Sequence, residues 1–88
     1  MDRFVMPAWV SSPVHRDLIV AMVAARKAAG MTQRDVAAKL SKPPSLVAKV
    51  ESVERNLSVL EFLAWTKAIG VRPEDLLTHL PDRAEIEI

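Results

Sequence analysis

The stretch from Thr32 to Ser52, TQRDVAAKLSKPPSLVAKVES, constrains the fold more than any other part of the chain. Val36, Ala37 and Leu40 recur at helical spacing, and so do Val47 and Val50, joined in part by Leu46. Each set predicts a short helix with one buried stripe. Thr32 is a natural N-cap for the first, with Asp35 three residues on as the capping-box acid. Ser41-Lys42 make the turn, and Pro43-Pro44 begin the second helix, with Pro44 at the first helical position where its missing N–H costs nothing. That helix should end near Ser52 or Val53. Two short amphipathic helices with so tight a connection must share one core, and the outer face of the second is left for something else.

The rest of the chain supplies the support. Ser12 followed by Pro13 signals the start of a helix running to Ala29, with Gly30 closing it in the left-handed conformation. Its expected buried stripe is Leu18, Met22, Ala25 and Ala29, widened by Ile19. Ser58 with Glu61 forms a capping box for the helix SVLEFLAWTKAI, ended by Gly70. Val59, Phe62, Leu63, Thr66 and Ile69 mark one face of it, which leaves Leu60 and Trp65 surplus. A helix this apolar is either central to the core or meets a second subunit. Pro73 opens a last short helix, PEDLLTHL, stopped by Pro81. The expectation is a single all-α domain of five helices over residues 12–80, with an arm at 1–11 and a tail at 81–88. Arg3-Phe4-Val5-Met6 has extended character with Trp9 as an anchor, and Ala84 to Ile88 alternates apolar and acidic residues with a period of two. The two ends are read either as strand-like arms that need a pairing partner or as frayed tails.

Composition narrows the function. Cysteine is absent, so disulfides and thiolate metal sites are excluded. Only His15 and His79 offer imidazole, and they lie far apart. No Gly-rich phosphate loop, metal-ligand cluster or nucleophile–base pair is present, since Ser12 beside His15 is explained by helix capping. The chain reads as a non-enzyme with no cofactor. Arg16 and Arg26 close off the longest apolar run, which is too short to span a membrane, and no signal peptide opens the chain, so the expected location is cytoplasmic. The net charge of +1 conceals an asymmetry. Residues 1–49 carry eight Lys/Arg against three Asp, about +5, and the remainder four Lys/Arg against eight acids, about −4. Either one face attracts polyanions while the other is kept off them, or solvated faces merely differ in sign.

From Leu18 to Leu77 the order of residues resembles the Cro/C1-type (XRE) helix-turn-helix DNA-binding family. The matching residues are Arg26, Gly30-Met31-Thr32-Gln33, Val36-Ala37, Leu40, Val47, Val50-Glu51, Arg55, Ser58 and the helix ending Ala68-Ile69-Gly70-Val71, all in register without a gap. The resemblance implies a lambda-repressor-like fold whose third helix enters the DNA major groove while the preceding helix crosses the backbone. It implies that Gln33, at a helix N-terminus, bonds a phosphate, with Thr32 and Arg34 beside it and Lys39, Arg55 and Asn56 as further phosphate contacts. Arg26 and Glu51 match a family pair that joins the first helix to the end of the third, a structural ion pair. Ser45, Ala48 and Lys49 match the base-facing positions, with Lys42 and Pro44 at the approach. Lys49 suits guanine O6 or N7, Ser45 suits almost any edge, and Ala48 offers only an apolar contact.

The chain departs from the family at two places. Pro44 stands where members often carry a Gln able to bond adenine. Val53 stands where they usually carry a Gly with positive φ, a conformation costly for a β-branched residue, so the exit from the third helix is expected to be built differently. With few hydrogen-bonding groups on the reading face, phosphate contacts and DNA shape would supply much of the selectivity. The reading is a sequence-specific transcriptional regulator, a repressor by preference with activation left open, bound to a two-fold operator on double-stranded DNA as a homodimer. Leu60, Trp65 and Leu77 are the candidate dimer-interface residues, with the terminal arms as an alternative. The family context fits a phage-type repressor, a restriction-system controller or an antitoxin. The competing reading is a module that uses the same fold to hold a protein partner, a toxin or part of the transcription machinery.

Overall fold

The computed structural model describes residues 12–78 and residue 80. The N-terminal arm, His79 and the tail at 81–88 lie outside the described residues, and with them the strand-like readings of both ends. Five helices follow one another: α1 (Pro13–Ala28), α2 (Gln33–Leu40), α3 (Pro44–Glu51), α4 (Val59–Ile69) and α5 (Pro73–Leu77). No strand occurs among the described residues. The last helix ends at Leu77, before the predicted stop at Pro81.

Local chemistry sets the helix starts. The Ser12 hydroxyl accepts the His15 N–H at 3.3 Å at the head of α1. Thr32 and Asp35 make a full capping box on α2: the Asp35 N–H reaches Thr32 Oγ1 at 3.1 Å, and the Thr32 N–H reaches Asp35 Oδ2 at 2.8 Å. Ser58 and Glu61 repeat the device on α4, at 3.1 and 2.9 Å. Capping holds the Asp35 carboxyl below its usual range, through the Thr32 backbone N–H first and the Thr32 hydroxyl second. Only α3 and α5 begin without a side-chain cap, each with a proline in the first turn instead.

The first four helices all end on one device. At Gly30, Ser41, Val53 and Gly70 the backbone turns left-handed, with φ of 71°, 56°, 63° and 79°. The next residue in each case sends its N–H back to the helix: Met31 to Arg26 O, Lys42 to Ala37 O, Glu54 to Lys49 O and Val71 to Thr66 O, at 2.8–3.1 Å. This is the Schellman closure, which satisfies carbonyls the helix end would leave orphaned. The expectation that α3 must exit differently is therefore wrong. Val53 adopts the conformation a glycine would have taken, its N–H bonded to Val50 O and its side chain packed half-buried against the core. The two backbone bonds and the packing offset a strain of about 1–2 kcal/mol for an L-residue in this region. A prediction separates strain from packing. Val53→Gly should leave the domain more stable than Val53→Ala, by about 1 kcal/mol in denaturant melts, because both lose the packing and only glycine loses the strain. The opposite order, normal for Gly against Ala elsewhere, would contradict a strained exit.

The core is drawn from every helix: Ile19 and Met22, Val36 and Ala37, Val47 and Val50, Phe62, Trp65 and Ile69, and Leu76. Two stripes differ from the predicted ones. On α1 the buried line is Ile19, Met22 and Arg26, with Leu18 and Ala25 at its margins and Ala29 exposed. The stripe rotates because Arg26 is drawn inward by its partner Glu51. On α4 the buried face is Phe62, Trp65, Thr66 and Ile69, while Val59 and Leu63 face outward at 74% and 42% exposure. This helix is apolar nearly all round, so more than one stripe satisfies the spacing, and the bulky indole takes the interior because its burial removes the most area from water. The buried Thr66 hydroxyl donates to Leu63 O at 2.8 Å. Trp65 is completely buried, so its assignment to a dimer interface is corrected: it is the central residue of the core. Leu60 and Leu77 remain on the surface, at 76% and 45% exposure.

Candidate nucleic-acid interface

The site is built on α2 and α3, which pack on each other more extensively than any other pair of helices. Val47 and Val50 are fully buried, which fixes the rotation of α3 about its axis. The opposite face then presents Pro44, Ser45 and Lys49, all exposed, and Ala48, half-buried. Lys42 lies exposed in the turn that leads into the helix. Among the described residues, Arg34, Lys39, Lys42 and Lys49 form no ion pair. Four unneutralised cations on or beside two short helices make a surface suited to a polyanion. The groups that project from this face of α3 are an ammonium, a hydroxyl, a methyl and the Pro44 ring. These donate hydrogen bonds or fill apolar space.

Behind that face the Arg26–Glu51 pair joins α1 to the end of α3. Arg26 Nε donates to Glu51 Oε2 at 2.7 Å and Nη2 to Oε1 at 2.9 Å, a bidentate fork, while Nη1 donates to Met31 O at 2.9 Å. The two side chains are only 9% and 7% exposed. Gln33 joins this pair. Its Nε2 donates to Glu51 Oε1 at 2.9 Å, which seats the head of α2 against the end of α3. A second proton on Nε2 is left over, along with the backbone N–H groups of Gln33 and Arg34, whereas those of Asp35 and Val36 are taken by Thr32. Thr32 is exposed, and its hydroxyl oxygen is occupied as the cap.

The loop from α3 to α4 holds a contact that no helical periodicity could reveal. Arg55 Nη1 donates to Glu61 Oε1 at 3.0 Å and to Asn56 O at 2.8 Å, and Nη2 donates to Glu61 Oε2 at 2.7 Å. Glu61 thus caps α4 and clamps Arg55 at once. The Arg55 hydrogen bonds, ahead of the Ser58 backbone N–H, pull the Glu61 carboxyl down to a pKa of about 2. The same bonds raise the Arg55 pKa. The sequence signal is the Glu at the third helical position, which its capping role alone accounts for. Asn56 is exposed and spends its Oδ1 on the Leu57 N–H at 2.8 Å.

The lowered carboxyl has a consequence for stability. In the unfolded chain Glu61 takes up its proton near the ordinary 4.5, whereas in the folded protein it resists until about 2. Its contribution is therefore complete above pH 4.5 and is lost as pH falls towards 2. Between pH 5 and 2 the parent chain should lose more stability than Glu61→Gln, which keeps a capping side chain but has no charge to titrate. Parallel acid-dependent melts of the two would show it, and superimposable profiles would contradict it.

A helix-turn-helix family model matches residues 23–76 of the chain. Among solved structures, an XRE-family like protein from Pseudomonas syringae pv. tomato str. DC3000 is 43% identical, covers 72% of this chain and 77% of its own, and superposes with a TM-score of 0.69. Comparison with curated proteins found no match. The buried Arg26–Glu51 fork, the α2–turn–α3 unit with its free outer face and these two likenesses agree: the chain belongs to the XRE (Cro/C1-type) family of DNA-binding helix-turn-helix proteins.

Proposed function

We propose that this protein is a sequence-specific transcriptional regulator that lays α3 in the DNA major groove and acts as a homodimer on a two-fold operator. The observation that supports this most strongly is the division of α3, with Val47 and Val50 fully buried and Ser45 and Lys49 exposed. In this reading Lys49 donates to guanine O6 or N7, Ser45 bonds an adjacent base edge, and Ala48 and Pro44 make apolar contacts with Lys42 at the groove edge. Thr32, Gln33, Arg34, Lys39 and Asn56 hold phosphates and set the register of the helix on the duplex. One reading head makes few contacts, so a pair one helical turn apart, about 34 Å, supplies the specificity. The exposed Leu60 and Leu77 are candidates to join two copies, among exposed apolar side chains that also include Val20, Val59 and Leu63. Occupancy of an operator is enough to block transcription, which makes repression the form of control that needs no further contact.

Binding to duplex DNA across a salt series tests this. Affinity should fall steeply as salt rises, because each phosphate neutralised releases counterions. Lys49→Ala should lower discrimination between preferred and unrelated sequences by about 1–3 kcal/mol, while Arg34→Ala weakens all sequences alike. Absence of affinity for every duplex at low salt would reject the DNA reading in favour of a protein-holding module.

A further inference from the structure

Of the cations assigned to DNA phosphates by position, Arg55 stands apart. Arg34 and Lys39 form no ion pair among the described residues, whereas Arg55 is bound in a fork to Glu61. Both Nη1 protons are committed, one to Glu61 and one to Asn56 O, and one Nη2 proton goes to Glu61. The carboxylate cannot easily swing away, because Oε1 also accepts the Ser58 N–H at 2.9 Å at the head of α4. The pair is nonetheless accessible, with side chains 38% and 30% exposed, so a phosphate approaching Arg55 meets a guanidinium whose charge is already balanced. We infer that Glu61 withholds Arg55 from the DNA backbone and so acts as a built-in restraint on affinity, a positioning residue that reaches DNA only through its partner. This inference rests on the DNA-binding reading given above.

A consequence follows for how the domain counts phosphates. Released from Glu61, Arg55 would neutralise one more phosphate and steepen the salt dependence of log K by about 0.9. Near 0.1 M salt that single counterion term corresponds to about tenfold in affinity. Held by Glu61, Arg55 contributes little of either. Removing the carboxylate is thus expected to strengthen binding mainly through Arg55.

The test uses four full-length chains: the parent, Arg55→Ala, Glu61→Gln and the double substitution. Each is titrated into a fluorescein-labelled mixed-sequence duplex of about 20 base pairs, long enough for two half-sites, at several salt concentrations. Glutamine preserves the α4 capping box, and thermal melts of all four chains establish that each is folded. Glu61→Gln should bind about tenfold more tightly with a slope steeper by about 0.9, and Arg55→Ala should leave the parent slope nearly unchanged. In the Arg55→Ala background, Glu61→Gln should gain much less affinity than in the parent and leave the slope unchanged. An equal gain in both backgrounds would mean that loss of a negative charge acts at a distance, and would overturn the restraint. So would a slope shallower by about 0.9 in Arg55→Ala alone, which would place Arg55 on a phosphate already. Binding by none of the four would instead overturn the DNA reading itself.

Discussion

Replacing Arg26 with alanine is expected to destabilise the domain by about 3–5 kcal/mol, a large share of what a chain of this size has. The cost arises on the partner side. Glu51 would stay behind with a side chain only 7% exposed, holding one hydrogen bond from Gln33 and no opposite charge. Met31 O would also lose the Arg26 Nη1 donor that ties the α1–α2 connection to α1. Glu51→Gln should cost less than Arg26→Ala, because an amide keeps the shape and leaves no bare anion inside, although it strands part of the guanidinium. Replacing both members by methionine should restore most of the loss, since apolar side chains of similar volume satisfy a buried site without the desolvation penalty. Urea melts of these variants give the ranking, and an Arg26→Ala cost below 1 kcal/mol would show that the pair is solvated in solution.

Trp65→Ala should have an effect of the same size, about 3–5 kcal/mol, by a different route. Trp65 is fully buried and is the largest side chain of the core, so its removal leaves a cavity there. The indole N–H has no hydrogen-bond partner among the described residues. Trp65→Phe therefore forfeits no bond and should recover most of the lost stability, with a residual cost from the smaller ring. The pair of variants also distinguishes a core residue from an interface residue. Were Trp65 an interface residue, alanine would weaken self-association and leave the melting of the monomer unchanged. A core residue predicts the reverse, seen by thermal melting beside sedimentation analysis.

What the sequence revealed and what it concealed divide along physical lines. Capping residues act on backbone groups three positions away, so Ser12, Thr32–Asp35, Ser58–Glu61, Gly30 and Gly70 announced the helix ends correctly. The α2–turn–α3 unit was legible for the same reason, and Val47 and Val50 assigned its inner face. The α4 face was not, because an apolar helix offers several stripes of the right period and only the neighbouring helices decide which turns inward. Val53 was misjudged because its intrinsic preference opposes its conformation, and backbone hydrogen bonds with side-chain packing override that preference. Arg55–Glu61 was invisible since its six-residue spacing spans a loop and follows no period. The Arg26–Glu51 fork lies 25 residues apart and was anticipated only through the family resemblance.

The reading face itself is the least determined by local rules. Its position follows from burial, but the bases it prefers depend on four side chains and on how the duplex bends to meet them. Pro44 and Ala48 can contribute shape and apolar contact, which leaves Ser45 and Lys49 to carry the hydrogen bonding. A head with so few donors is expected to need its partner head.

Selection of bound sequences from a random duplex pool tests this most directly. The prediction is an enriched two-fold motif whose half-sites are centred about one helical turn apart, roughly 34 Å, with a guanine in each half-site that loses its enrichment in Lys49→Ala. A bound pool indistinguishable in sequence from the starting pool would contradict the claim that α3 reads bases.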